Sequence, residues 1–189
     1  VIGLPFPSVG ATENVVAAAV LAEGETVLEG AAREPEIGEL CRFLNACGAK
    51  IEGAGTGTIR IRGVKRLHGC TWRVGGDRIV AGTYLIAAAA CGGEISLRGA
   101  DAGQLSSVCG ILAKAGAKVE SGADRIFLKA EGRPEAVRIS TGPYPGFPTD
   151  LQSPLLALCC VARGESVISY ADYAVAMIDE ATGGDHIRQ

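Results

Sequence analysis

The chain has 189 residues, 48% of them apolar and only 5% aromatic, with a net charge of −3. That composition supplies a core for one domain or two small pieces, and it lacks the clustered basic footprint of a nucleic-acid-binding protein. No apolar run approaches the roughly 18 residues that span a bilayer, and no basic segment leads into an apolar one at the start, so neither a membrane span nor a signal peptide is read and a cytoplasmic location is expected.

Taken in chain order, the first element is a small, almost wholly apolar helix at 15–22. Gly24 follows it, as a helix end prefers, and then a short strand, Thr26-Val27-Leu28. An amphipathic helix opens at Glu34-Pro35-Glu36, with proline in the first turn and acids at the positive helix end, and closes at Cys47-Gly48. "AKIEG" (49–53) and "TIRIRG" (58–63) then alternate apolar and polar residues around Gly55 to Gly57, which predicts a hairpin. The Gly-x-Gly-x-Gly run at 53–57 invites a phosphate-loop reading. It lies between two alternating strands rather than between a strand and a helix, so the hairpin reading prevails.

The order then recurs. A strand is expected at 70–74, an apolar helix at 84–91 before Gly92 and Gly93, and a strand at Ile95-Ser96-Leu97. A second helix is expected at about 104–115 before Gly116, and a hairpin within "GAKVESGADRIFLKAEG" (116–132). A third round supplies a strand at 136–139, a helix at 155–162, Gly164 and a strand at Ser166-Val167-Ile168. It has no recognisable closing hairpin, and the tail from Tyr170 has weak helical character until Gly183-Gly184.

The echoes are literal as well. "GAKIEGAGTGTIRIRGV" (48–64) matches 116–132, and "GATENVVAAAVLAEGETVLEGA" (10–31) is echoed at 81–100 and again at 148–169. A period of about 70 residues is that of one supersecondary unit, and each unit reads βαβαββ. The expected fold class is therefore α/β (α+β), with about two complete units and a partial third. The apolar helices, apolar all round, are expected to lie in the interior.

Candidate chemistry is sparse. The seven cysteines (Cys41, Cys47, Cys70, Cys91, Cys109, Cys159, Cys160) are odd in number and contain no C-x-x-C, so buried free thiols explain them better than disulfides or zinc. His68 and His186 stand far apart, which leaves a metal site or a Cys–His dyad without local support. "PYPGFPTDLQ" (143–152) packs three prolines and a glycine into six residues, forbidding helix and sheet ladder alike, and ends on Asp150 where a helix begins. From this stretch alone an N-cap is the commoner role for such an aspartate.

Four segments in order, "PSVGATEN" (7–14), "AAREPEI" (31–37), "DRIVAGTYLIAAA" (77–89) and "PYPGFPTDLQ" (143–152), make the chain resemble the UDP-N-acetylglucosamine 1-carboxyvinyltransferase family of enolpyruvyl transferases, over roughly residues 5 to 168. The resemblance implies an inside-out α/β barrel of two domains, each built from three βαβαββ units around buried helices. It places residues 1–75 at the end of one domain and 76–189 in the other, crossing near Gly75-Gly76, where the family usually has a proline before the Asp-Arg matched by Asp77-Arg78. It implies a bacterial enzyme of peptidoglycan synthesis that moves the enolpyruvyl group of phosphoenolpyruvate onto the 3′-hydroxyl of UDP-N-acetylglucosamine, with no cofactor and no metal.

By the same resemblance Asp150 matches the carboxylate beside the attacking hydroxyl, and Ser8, Val9 and Gly10 match the segment that binds the nucleotide diphosphate. A hydroxyl and backbone N–H groups just before a helix suit an anion, although Ser8 equally suits a plain turn leading into the helix. None of the seven cysteines matches the family's acid. The lysine and most arginines that clamp phosphoenolpyruvate, and a Phe-Glu-Asn-Arg motif, are also unmatched, so a partial chain, inactive alone, is expected. Two alternatives stand beside this reading: an enolpyruvylshikimate-phosphate synthase-like transferase, and a non-catalytic repeat module that self-associates through its incomplete third unit.

Overall fold

The computed structural model describes residues 1–122 and 124–170; the weakly helical tail pattern lies outside the described residues, apart from Tyr170. In chain order the elements are β1 (Ile2–Gly3), α1 (Val9–Ala19), β2 (Glu25–Glu29), α2 (Pro35–Ala46), β3 (Lys50–Glu52) and β4 (Thr58–Arg62). They continue with α3 (Arg78–Cys91), β5 (Gly93–Arg98), a 3-10 turn at Ala102–Leu105, α4 (Ser106–Lys114), β6 (Lys118–Ser121) and β7 (Arg125–Ala130). β8 (Arg138–Thr141), a second 3-10 turn at Thr149–Leu151, α5 (Gln152–Val161) and β9 (Val167–Tyr170) complete the order. The chain is a mixed α/β structure that divides into two compact units. Among the described residues, one is Val1–Gly75 with Pro143–Pro145; the other is Gly76–Gly142 with 146–170.

In the first unit, the alternation of "TIRIR" places Ile59 and Ile61 on one face of β4, both fully buried, while the intervening arginine faces solvent. β4 pairs antiparallel with β2 along its whole length and with β3 on the other side, and β1 adds a parallel partner to β2, in the order β1-β2-β4-β3. Over that face lie Val16 of α1 and the stripe Ile37, Cys41 and Leu44 of α2, spaced four and three apart as one face of a helix requires. The tip of the β3–β4 hairpin is glycine for a conformational reason. Gly53 (φ +81°) and Gly55 (φ +83°) take left-handed backbone, and the Thr56 hydroxyl donates to the Gly53 carbonyl at 2.7 Å. The Gly-x-Gly-x-Gly run is thus a hairpin turn.

The second unit repeats the arrangement β5-β7-β6, all antiparallel, and its core gathers Leu85, Ile86 and Ala89 of α3, Val108, Ile111 and Leu112 of α4, and Ile126 and Leu128 of β7. Leu151, Leu155 and Leu158 complete the same cluster. β8 and β9 form a separate parallel pair, Arg138 opposite Val167 through Thr141 opposite Tyr170. None of these sheets closes on itself among the described residues.

Two expectations change. The strand expected at 70–74 is absent, because that segment is committed to side chains of α2, Glu39 and Phe43. There the Trp72 indole meets the Phe43 ring edge-on at 5.9 Å, the Gly75 N–H donates to Glu39 Oε1 at 2.7 Å, and the His68 N–H donates to the Cys47 carbonyl at 2.9 Å. The apolar helices are also not enclosed. Val80 (51% exposed) and Tyr84 (58%) on α3, and Leu156 (54%) on α5, face outward, since the sheet and the neighbouring helices cover only one side of each. Periodicity reported how apolar these helices are, which is a statement about composition; enclosure depends on how many neighbours are present.

Candidate active site

The loop that carries Asp150 is held at both ends within the second unit. At its start the Gly142 N–H donates to the Phe147 carbonyl at 2.9 Å, and Phe147 is buried. The Ser107 hydroxyl of α4 donates to the Gly146 carbonyl at 3.2 Å. At its end Leu151 is fully enclosed against α3, where Gly82 leaves the space it fills; a Cβ at Gly82 would collide with Leu151 Cδ1. Asp150 sits between these anchors in the 3-10 turn Thr149–Leu151, with its side chain exposed. It caps neither that turn nor α5, whose N-cap position is Leu151 and has no side-chain cap bond. The carboxylate is therefore left to solvent on a backbone that a buried leucine and a proline-rich approach restrict.

Ser8, Val9 and Gly10 belong to the first unit. Ser8 is the N-cap of α1, in extended backbone, and its Oγ accepts the Ala11 N–H at 3.3 Å. Val9 and Gly10 form the first turn, and Gly10 is exposed with open space where a Cβ would stand. The plain capping role of Ser8 is met. The N–H groups of a first turn have no intrahelical acceptors, which leaves this end of α1 able to hold an anion. Asp77 has a comparable structural task, its Oδ1 accepting the Ile79 and Val80 N–H groups at 2.7 and 3.0 Å as the N-cap of α3. Glu34 occupies the N-cap position of α2 without a side-chain cap bond.

All seven cysteines are free. Burial pushes the Cys41 and Cys109 thiols above the usual range, which keeps them protonated and inert. No group of three or more metal-ligating side chains occurs among the described residues, and no helix among them is long and apolar enough to cross a membrane. A depression of about 290 Å³ on the first unit is lined by Asn45, Lys50, Glu52, Arg60 and Arg62, among others. Its mixed charges come from the outward positions of alternating strands, and it includes none of the residues singled out from the sequence. One contribution escaped sequence reading: Thr12 of α1 is fully buried and its Oγ1 accepts the Ala32 N–H at 3.0 Å, tying α1 to the segment that leads into α2. A threonine in an apolar helix gives no sign of a partner twenty residues away.

The architecture is that of an enolpyruvyl transferase. The enolpyruvyl transferase NikO from Streptomyces tendae superposes with a TM-score of 0.72 at 23% identity, over 86% of this chain and 39% of that one. The EPSP synthase from Acinetobacter baumannii gives a TM-score of 0.55 at 22% identity, over 96% of this chain and 43% of that one. At the level of sequence, residues 1–174 match the model of the family EPSP synthase (3-phosphoshikimate 1-carboxyvinyltransferase), and the chain belongs to that family. Among curated relatives, it is 51% identical over 164 residues to the UDP-N-acetylglucosamine 1-carboxyvinyltransferase of Nitratidesulfovibrio vulgaris (strain DP4), and 53% identical over 163 residues to that of Shewanella sp. (strain W3-18-1). Those matches cover 86% of this chain, which spans 39% of the length of each relative.

Proposed function

We propose that this chain carries part of the machinery of UDP-N-acetylglucosamine 1-carboxyvinyl transfer, the movement of an enolpyruvyl group from phosphoenolpyruvate to the 3′-hydroxyl of the sugar nucleotide in peptidoglycan synthesis. The observation that carries this reading is the identity of 51–53% to proteins of that name, over 86% of the chain. On this reading Asp150 is the base beside the attacking hydroxyl, and its exposed, uncapped carboxylate on a held backbone supports that role. Ser8, Val9 and Gly10 supply the anion-holding end of α1 for the nucleotide diphosphate. Residues 1–75 and 76–189 belong to the two domains of an inside-out barrel, and the β8–α5–β9 segment begins a further βαβαββ unit of the second.

The chain alone is expected not to turn over: it spans 39% of the relatives' length, and by the resemblance the acid, the lysine and most arginines of the phosphoenolpyruvate clamp are unmatched in it. The proposal is tested in a chimera in which residues 5–168 replace the matching segment of the Nitratidesulfovibrio vulgaris relative. The chimera is expected to be active with UDP-N-acetylglucosamine and the isolated chain inactive. Turnover by the isolated chain, or a chimera that folds and accepts only shikimate 3-phosphate, overturns it.

Self-association has its own support. Among the described residues the parallel pair β8–β9 has two strands, and α5 presents Leu156 and Val161 to solvent. Light scattering on the isolated chain is expected to show a concentration-dependent oligomer; a monomer throughout the micromolar range contradicts it.

A further inference from the structure

Cys47 and Cys70 lie 23 residues apart in sequence and their sulfurs are 3.4 Å apart, all within the first unit. No other two of the seven cysteines meet in this way. Cys47 is the C-cap residue of α2 and is buried, whereas Cys70 is exposed on the irregular segment that follows β4. That segment is already fastened on both sides of the pair. The His68 N–H reaches the Cys47 carbonyl at 2.9 Å, and the Gly75 N–H and Trp72 indole reach Glu39 Oε1 at 2.7 and 3.4 Å. A disulfide needs its sulfurs at about 2.05 Å, so an approach of little more than an ångström suffices, and the less regular partner can supply it.

We propose that Cys47 and Cys70 are an oxidisable thiol pair that a peroxide converts to an intramolecular disulfide, stapling the segment after β4 to the C-terminal end of α2. The exposed sulfur reacts first: the Cys70 thiolate attacks one peroxide oxygen, the O–O bond breaks, and Cys70 becomes a sulfenic acid as hydroxide leaves. The Cys47 sulfur then attacks the Cys70 sulfur, forming the S–S bond and releasing water. Overall two thiols lose two protons and two electrons, and one hydrogen peroxide is reduced to two waters. The order suits the environment of Cys47, whose thiol is held above its usual range by the hydrogen bond with Cys70 and by burial, so it waits protonated until the sulfenic acid forms beside it. Cys91 and Cys160 are also exposed, but no cysteine sulfur lies at hydrogen-bonding distance from either among the described residues, as Cys47 lies beside Cys70.

The test uses the whole chain, treated with a small molar excess of hydrogen peroxide, alkylated with iodoacetamide and digested with trypsin without reductant. Peptides 43–50 and 67–73 are expected as one linked species, about 2 Da lighter than their sum because two hydrogens are lost. The species should vanish with dithiothreitol and be absent from Cys47→Ser and Cys70→Ser, each of which should remain folded by circular dichroism. Recovery of both peptides fully alkylated under conditions that oxidise Cys91 or Cys160 overturns the proposal. So does a predominance of Cys70–Cys70 links between chains.

Discussion

Two aspartates stand at the starts of two apolar helices, and they do different work. Asp77 spends its carboxylate on the helix behind it, with Oδ1 accepting two first-turn N–H groups of α3. Asp150, in a comparable place before α5, caps nothing: a 3-10 turn intervenes, Leu151 takes the cap position, and the carboxylate faces solvent. Ser8 is intermediate, capping α1 through a single bond of 3.3 Å. A polar residue before an apolar helix is ambiguous in a sequence. The hydrogen bonds resolve the ambiguity, since an acceptor used by its own helix is a structural part and an acceptor left free is available to a reacting group.

The same contrast holds one turn further in. Thr12 of α1 and Thr83 of α3 both lie in the N-terminal half of an apolar helix, yet Thr12 is buried and holds the Ala32 N–H, while Thr83 is exposed and bonds the Ile79 carbonyl of its own helix.

The largest effect that sharpens this contrast is at the anchor of the Asp150 turn. Leu151→Ala should cost about 2–5 kcal/mol in denaturant unfolding, the range for emptying a fully buried leucine site. Thr12→Val leaves the buried Ala32 N–H without an acceptor and should cost about 1–3 kcal/mol, whereas Thr83→Ala should stay within about 0.5 kcal/mol. Equal losses at the two threonines would mean that the buried bond carries no special weight. Asp77→Ala should cost about 1 kcal/mol, as for a lost N-cap, and Asp150→Ala should leave the unfolding midpoint unchanged within about 0.5 kcal/mol. If Asp150→Ala destabilised as much as Asp77→Ala, both carboxylates would serve their own helices and neither would be free for a reacting group.

Much of the fold was legible because local chemistry and tertiary arrangement agree. The proline and acids at 34–36 start α2 where expected, left-handed Gly48 follows its end, and the alternation of "TIRIR" matches a half-buried strand. The apolar helices were legible in kind but not in extent. α1 and α3 begin several residues before their apolar runs because Ser8 and Asp77 cap them there. The expected strand at 70–74 failed because its partners are tertiary: a tryptophan that meets Phe43 and a glycine N–H that meets Glu39 override the extended preference of the segment. For the site, the sequence showed that a stiff loop delivers Asp150 to a helix start. Whether that carboxylate caps or stays free turns on the single 3-10 turn inserted before α5, and no composition or spacing reports that turn.

Asp150 is proposed to serve a reacting hydroxyl rather than its own helix. That role is tested most directly by Asp150→Asn in the chimera that carries residues 5–168, measuring kcat and the thermal midpoint on the same preparation. A loss of kcat of roughly 10²–10⁴, the usual worth of a general base, is expected with the midpoint unmoved. An unchanged kcat, or a loss that appears only together with a lowered midpoint, contradicts it.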